Sequence, residues 1–161
     1  MSILLSVASL TGNTKTIIDF IKENCTDDIV VCEDFSVSPE EYDKIILGSY
    51  SWGNGKIPRR MKKYLIDNQQ YFKDKNIFIY GSGNSIYPRF CGAVEGIEKI
   101  VSDCGANIIG KFKYEQRFNK DDFTKEELEE AINQLNILEE IKWLKWLKQS
   151  KLKSSWDLMS W

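Results

Sequence analysis

The 161-residue chain contains no histidine. That absence removes a histidine general base, a Ser-His-Asp triad and every histidine metal ligand. Cysteine is sparse too: Cys25, Cys32, Cys91 and Cys104 are too scattered for a disulfide framework, and no two stand in the C-x-x-C spacing of a zinc or redox site. They read as reduced thiols. No apolar run approaches the ~20 residues that span a bilayer, and the N-terminus shows no basic stretch ahead of an apolar segment with a small-residue cleavage site. The cytoplasm is the expected location. The nucleotide-hydrolase motif G-x-x-x-x-G-K-[ST] does not occur, and Ser6 to Leu10 holds no carboxylate of the kind a phosphoryl-accepting receiver domain places after its first strand. A formal net charge of −2 disfavours nucleic acid as a partner. Chemistry must then come largely from a bound cofactor, with no catalytic residue and no metal ligand expected of the chain itself.

What is present suits one small domain: 42% hydrophobic content, with 12% aromatics, is enough to fill a single core. Short runs rich in Ile, Val and aromatics read as five strands, at Ile3 to Ala8, Ile29 to Glu33, Lys44 to Tyr50, Asn76 to Gly81 and Asn107 to Tyr114. Helical patterns separate them. Thr16 to Ile21 places Ile17, Ile18 and Ile21 on one face; Pro58, at a first helical position, leads a second helix through Met61, Leu65 and Phe72. Phe90, Val94, Ile97, Val101 and Cys104 recur at three- and four-residue steps and stop at Gly105. A capping box, Thr124 with Glu127, opens a last helix through Leu128, Ala131, Leu135 and Leu138.

Alternating strands and helices, with strands apolar on both faces, predict an α/β three-layer sandwich: a five-stranded parallel sheet, order 2-1-3-4-5, with helices on both faces. Ligands in such folds bind at the carboxyl ends of strands. Three loops fall there. The first, Ser9, Leu10, Thr11, Gly12, Asn13 and Thr14, offers three hydroxyls, an amide and several backbone N–H groups, with a helix start behind them, and so suits a phosphate held by neutral donors. The second contains Ser49, Tyr50, Ser51, Trp52, Gly53, Asn54 and Gly55; the third contains Ser82, Gly83, Asn84, Tyr87, Phe90 and Cys91. Trp52 and Tyr87 could cover opposite faces of a heterocycle whose edge meets glycine-rich backbone. Each loop alone has a plainer structural reading, as a capped turn, a packed aromatic or a buried helix thiol. In this order they describe a site for a ring phosphate cofactor.

Over roughly residues 1 to 140 these motifs resemble the flavodoxin family. Ser9-x-Thr11-Gly12-Asn13-Thr14 is similar to its [ST]-x-T-G-x-T phosphate loop, and Gly48-Ser49-Tyr50-Ser51-Trp52-Gly53-Asn54-Gly55 to its tryptophan loop. Gly81-Ser82-Gly83-Asn84 through Tyr87, with Phe90-Cys91-Gly92-Ala93-Val94, resembles its tyrosine loop and the helix that follows. The resemblance implies an FMN-dependent one-electron carrier working between redox proteins, a reductase donor and an acceptor, as a monomer. Ser9 to Thr14 would hold the phosphate, Trp52 and Tyr87 would flank the isoalloxazine, and backbone of Gly53, Ser82, Asn84 and Cys91 would meet the ring edge. It also implies a peptide turn at Gly53-Asn54 on one-electron reduction, aiming a carbonyl at the flavin N5 hydrogen.

Charge departs from the family pattern of carboxylates around the ring. Asn54 and Asn84 stand where acids are common, Lys56, Arg59, Arg60, Lys62 and Lys63 follow the second loop, and Arg89 lies in the third. A raised potential for the lower one-electron couple is expected, and the basic run from Lys56 to Lys63 reads either as the solvated face of a helix or as a docking rim for an acidic partner. The same departure keeps open the flavodoxin-like activator of ribonucleotide reductase, which would supply reduced-flavin-derived oxidant to a manganese cofactor; a flavin-free interaction domain is the alternative of another class. Residues 141 to 161 form a separate basic, Trp-rich extension with five lysines and one aspartate, in which Trp143, Leu144, Trp146 and Leu147 alternate with lysines. Either a prolonged last helix folded back on the domain, or a surface for a partner or an anionic membrane, fits that pattern.

Overall fold

The computed structural model describes residues 2–118 and 124–159. Its strands are β1 (Ser2–Ala8), β2 (Asp28–Cys32), β3 (Lys44–Tyr50), β4 (Asn76–Gly83) and β5 (Asn107–Glu115). They form a single parallel sheet in the order β2-β1-β3-β4-β5. The chain leaves β1 to one side for β2 and to the other for β3, so the carboxyl ends of β1 and β3 flank the switch point at which a crevice opens.

Helices α1 (Ile18–Asn24), α2 (Arg59–Asp67), α3 (Gly92–Asp103) and α4 (Thr124–Met159) cover the two faces. Strand alternation splits the core accordingly. Ile3, Leu5, Val7, Ile46, Phe78 and Phe112 pack with Ile17 and Ile21 near α1 and with Leu128, Ile132 and Leu135 of α4. Ile45, Leu47, Ile77 and Ile79 pack with Met61 and Leu65 of α2 and Val94, Ile97 and Val101 of α3. The sandwich has three layers, as the pattern predicts.

Several boundaries differ from the sequence reading, each for a local reason. The helix expected from Thr16 starts at Ile18, after a 3-10 turn at Asn13–Lys15. The Thr16 hydroxyl donates to the Asn13 carbonyl (2.7 Å) and accepts from the Phe118 N–H (2.9 Å), holding the backbone in that turn. Pro58 is the extended residue before α2, with ψ 143°, and not its first helical position. Phe72 lies beyond α2, past a second 3-10 turn at Gln69–Tyr71, yet is fully buried. Cys91, at φ +51°, puts Phe90 outside α3; Gly105, at φ +89°, ends that segment as expected.

The last helix is continuous for 36 residues, about 54 Å at 1.5 Å per residue. The boundary expected at residue 140 falls inside it. Among the described side chains of α4, Leu128, Ala131, Ile132 and Leu135 are buried, whereas Leu144, Trp146 and Leu152 are exposed. The side chains of the Thr124/Glu127 capping box, of Leu138 and of Trp143 lie outside the described residues. Lys44, only 3% exposed, fastens α4 to the sheet by donating to the Leu135 carbonyl (2.7 Å) and to Asp27 (3.2 Å).

Candidate functional site

The first loop is held by its carbonyls. Tyr80 of β4 donates its phenol to the Thr14 carbonyl (2.9 Å), and Tyr114 of β5 donates to the Asn13 carbonyl (2.7 Å). Burial raises the pKa of both phenols, so they remain donors. Gly48 makes the arrangement possible, because a Cβ there would fall inside the Tyr80 ring. The Thr14 hydroxyl bonds Ser82 (2.8 Å), and the Ser9 hydroxyl accepts the N–H of Gly12, whose φ of +90° turns the chain. With the Asn13 and Thr14 carbonyls spent inward, the N–H groups of Thr11, Asn13 and Thr14 meet no protein acceptor among the described residues. Thr14 is 1% exposed. An unpartnered donor that deep calls for an acceptor, and an oxyanion supplies one.

The second loop is closed by a two-way backbone bridge, Trp52 N–H to Lys56 O (2.7 Å) and Lys56 N–H to Trp52 O (2.8 Å). Gly53 and Gly55, at φ +51° and +76°, make the turn between them. Ser51 anchors the loop to α3 by accepting the Ala93 N–H (3.0 Å). In the third loop, Asn84 accepts the N–H groups of Ile86 (3.0 Å) and Tyr87 (3.1 Å), and both carboxylate oxygens of Glu115 accept the Ser85 N–H. The Cys91 thiol donates to the Gly81 carbonyl (3.5 Å) beneath the site. Burial pushes that thiol up to about 12, which fits a packing group and not a nucleophile.

Together the three loops enclose a cleft of about 640 Å³ lined by Leu10, Thr11, Asn13, Tyr50, Ser51, Gly53, Asn54, Ser82, Gly83, Asn84, Tyr87 and Cys91. A flavodoxin family model matches residues 5–134, the span that carries all three loops. The chain belongs to the flavodoxin family. Among its relatives, "Probable flavodoxin 2" of Bacillus subtilis (strain 168) is 30% identical over 115 residues, covering 66% of this chain and 76% of that protein. Flavodoxin 2 of Bacillus cereus has the same fold with a TM-score of 0.69, 31% identity, and coverage of 87% of this chain and 99% of that one. The flavodoxin of Streptococcus pneumoniae TIGR4 gives 0.73 at 25% identity, covering 84% and 97%. None of these matches favours the reductase-activator reading.

Not every residue singled out in this flavodoxin lines the cleft. Gly12 and Thr14 form the loop beneath its rim, Ser49 is buried with its hydroxyl on the Tyr50 carbonyl (2.7 Å), and Phe90 packs into the α3-side core. Ser9 and Trp52 line an adjoining cleft of about 440 Å³ that shares Leu10 and Tyr50 with the first. Trp52 is 58% exposed and Tyr87 56%, one from the second loop and one from the third. Pro88, Arg89 and Gln116 also line the main cleft. Gln116 follows β5 at φ +47° and donates its N–H to the Gly83 carbonyl (2.6 Å). The strand-end rule, extended from β4 to β5, would have found it.

An FMN fits these features. The first loop offers unpartnered N–H groups and hydroxyls to a phosphate, the cleft falls within the roughly 300–1,000 Å³ of small-molecule sites, and glycines expose backbone at its wall.

Proposed function

We propose that the cleft between the three loops is the FMN site of this flavodoxin, with Ser9 to Thr14 on the phosphate, Trp52 and Tyr87 beside the ring, and backbone of Gly53, Ser82, Asn84 and Cys91 at its edge. The observation that carries this reading is the first loop: two buried phenols fasten its carbonyls from below, and N–H groups of three of its residues remain without a protein acceptor among the described residues.

As a flavodoxin, the chain is an FMN-dependent one-electron carrier and its partners are redox proteins. Bound FMN supplies the electron-accepting centre; the chain supplies its placement. The first loop neutralises an anion with dipoles and no lysine, so affinity rests on keeping those dipoles fixed. Gly53, with open space around it, leaves the backbone after Trp52 free to reorient and to offer its carbonyl to a proton at the ring edge. The described thiols are all free, which fits a reducing compartment such as the cytoplasm. Among the described residues no helix is long and apolar enough to cross a membrane. Residues 1–140 constitute the FMN-binding domain in this reading, and 141–161 its basic, Trp-rich C-terminal extension.

Adding FMN to the apoprotein tests the assignment. Flavin fluorescence should be quenched at a one-to-one ratio, and Trp52→Ala or Tyr87→Ala should each weaken binding roughly tenfold, the loss of about 1.4 kcal/mol of stacking. Unquenched flavin, or equal affinity in both variants, would reject the site.

A further inference from the structure

The balance of charge differs between the two ends of the strand axis, although Lys73 and Lys75 flank Asp74 at the acidic one. At the amino end of the sheet, Asp28 opens β2, Glu40, Glu41 and Asp43 precede β3, and Asp74 precedes β4, while Asp67 and Asp103 close α2 and α3 at that same end. At the carboxyl end, Lys56, Arg59 and Arg60 follow β3, Arg89 follows β4 and Arg117 follows β5. Lys56, Arg59, Arg60 and Arg89 are exposed, and among the described residues no carboxylate pairs with any of them. Three acids stand at this end as well, each engaged elsewhere: Glu33 with Lys15 (3.6 Å), Asp34 with the N–H and hydroxyl of Ser36, and Glu115 with the Ser85 N–H. Lys63 turns to Asp67 (2.7 Å), and neither it nor Lys62 lines the main cleft or the one beside Trp52. The rim is therefore narrower on α2 than the lysine and arginine run suggests, and it gains Arg89 and Arg117 from other loops.

Apolar exposure gathers at the same place. Leu10, Trp52, Ile86 and Tyr87 are 66%, 58%, 81% and 56% exposed around the cleft mouth. Beside them the second cleft runs between Leu10, Phe35, Tyr50 and Trp52 on one side and Arg59 and Arg60 on the other, with the Arg60 guanidinium 5.6 Å above the Phe35 ring. An apolar centre within a charged rim is the anatomy of a transient protein interface.

We propose that this basic rim and its apolar centre dock a redox protein whose own electron-transfer face is acidic, and that the charge separation turns the cleft toward it during encounter. The proposal rests on the FMN assignment above. Its physical content is a sign: an overall charge of −2 repels an anion, whereas at the cleft mouth Lys56, Arg59, Arg60, Arg89 and Arg117 outnumber Glu33, Asp34 and Glu115 and so should attract one.

Two small electron acceptors of opposite charge read that sign. The FMN-loaded protein is photoreduced and mixed with ferricyanide, which takes one electron to become ferrocyanide, or with hexaammineruthenium(III), which takes one to become the ruthenium(II) ion. Between ~0.01 M and ~0.1 M salt the Debye length shrinks from about 30 Å to about 10 Å. The ferricyanide rate constant should fall at least about threefold over that range while the ruthenium rate constant rises. The triple variant Lys56→Gln/Arg59→Gln/Arg60→Gln should flatten the ferricyanide dependence; Lys62→Gln/Lys63→Gln should leave it unchanged. A ferricyanide rate that rises with salt, or a triple variant with an unaltered slope, overturns the proposal. A second readout needs no flavin: titration of the apoprotein with a hexaglutamate peptide should shift amide resonances of residues 52–60 and 86–89. Shifts confined to other residues, or none at all, overturn docking. Failure of the chain to take up FMN would instead sink the site assignment and leave this titration to decide the docking face.

Discussion

Tyr80→Phe removes one oxygen from the structure, and that oxygen lies 2.9 Å from the carbonyl of Thr14. Tyr80 is fully buried and Thr14 is 1% exposed, so water does not replace the lost donor. An orphaned buried carbonyl costs about 1–3 kcal/mol. Taking ~2 kcal/mol and a urea m-value of ~2 kcal/mol/M, the unfolding midpoint of the apoprotein should drop by about 1 M. Ring packing against Tyr114, at a centroid separation of 6.4 Å, is retained by phenylalanine, so the loss reports the hydrogen bond. Binding should suffer as well. Tyr114 still fastens the neighbouring Asn13 carbonyl, and FMN affinity falls by the fraction of loop conformers that remain competent. If ~1.4 kcal/mol of the loss falls on loop order, that fraction is roughly a tenth. Because both phenols hold adjacent peptides, the Tyr80→Phe/Tyr114→Phe double variant should show non-additive losses in FMN affinity. Urea unfolding followed by circular dichroism and flavin-fluorescence titration measure the two effects. A Tyr80→Phe protein with the parent midpoint and the parent affinity would refute the claim that these phenols set the loop.

Gly48→Ala should destabilise the apoprotein by about 1–3 kcal/mol through overpacking, since the added carbon meets the Tyr80 ring; thermal unfolding checks this. Burial pushes the Cys25 and Cys91 thiols from an ordinary 9.0 to about 11 and about 12. Above pH 9 the unfolded chain loses protons that the fold retains, so stability is undiminished below pH 9 and falls as pH rises toward 11 to 12, by up to about 1.4 kcal/mol per pH unit for each thiol; urea midpoints at a series of pH values follow it. Asn54→Asp should lower the lower of the two one-electron potentials of the FMN-loaded protein. A carboxylate at ~6 Å in an effective dielectric of ~40 contributes about 1.4 kcal/mol, or ~59 mV, and spectroelectrochemical titration reads the change. Ending the chain at residue 140 should leave the urea midpoint and the flavin spectrum as they are, because the buried side chains of α4 among the described residues lie at Leu128 to Leu135, whereas Leu144 and Trp146 are exposed.

The period of the apolar residues determined the architecture. Lys44 to Tyr50 is a strand at both of its expected ends because a run buried on both faces can sit only inside a covered parallel sheet. Residue chemistry at three strand ends was legible too: Ser9 and Thr11 after β1, Trp52 ahead of Gly53 and Gly55 after β3, and Tyr87 after β4 line the cleft or its neighbour. Tertiary structure decided what depends on partners remote in the chain. Ser82 and Gly83 belong to β4 because they pair with Tyr114 and Glu115, about thirty residues on. Thr16 delays α1 through a bond with Phe118. Tyr80 and Tyr114 read as core aromatics, and nothing in their local sequence shows that their phenols end on the first loop. Charge followed the same division. The sequence placed arginine and lysine after the second loop; only the sheet, by gathering strand ends from across the chain, joined them to Arg117 and brought them beside Glu33, Asp34 and Glu115. Local pattern fixes which atoms a segment offers, whereas long-range pairing fixes which of them face one another.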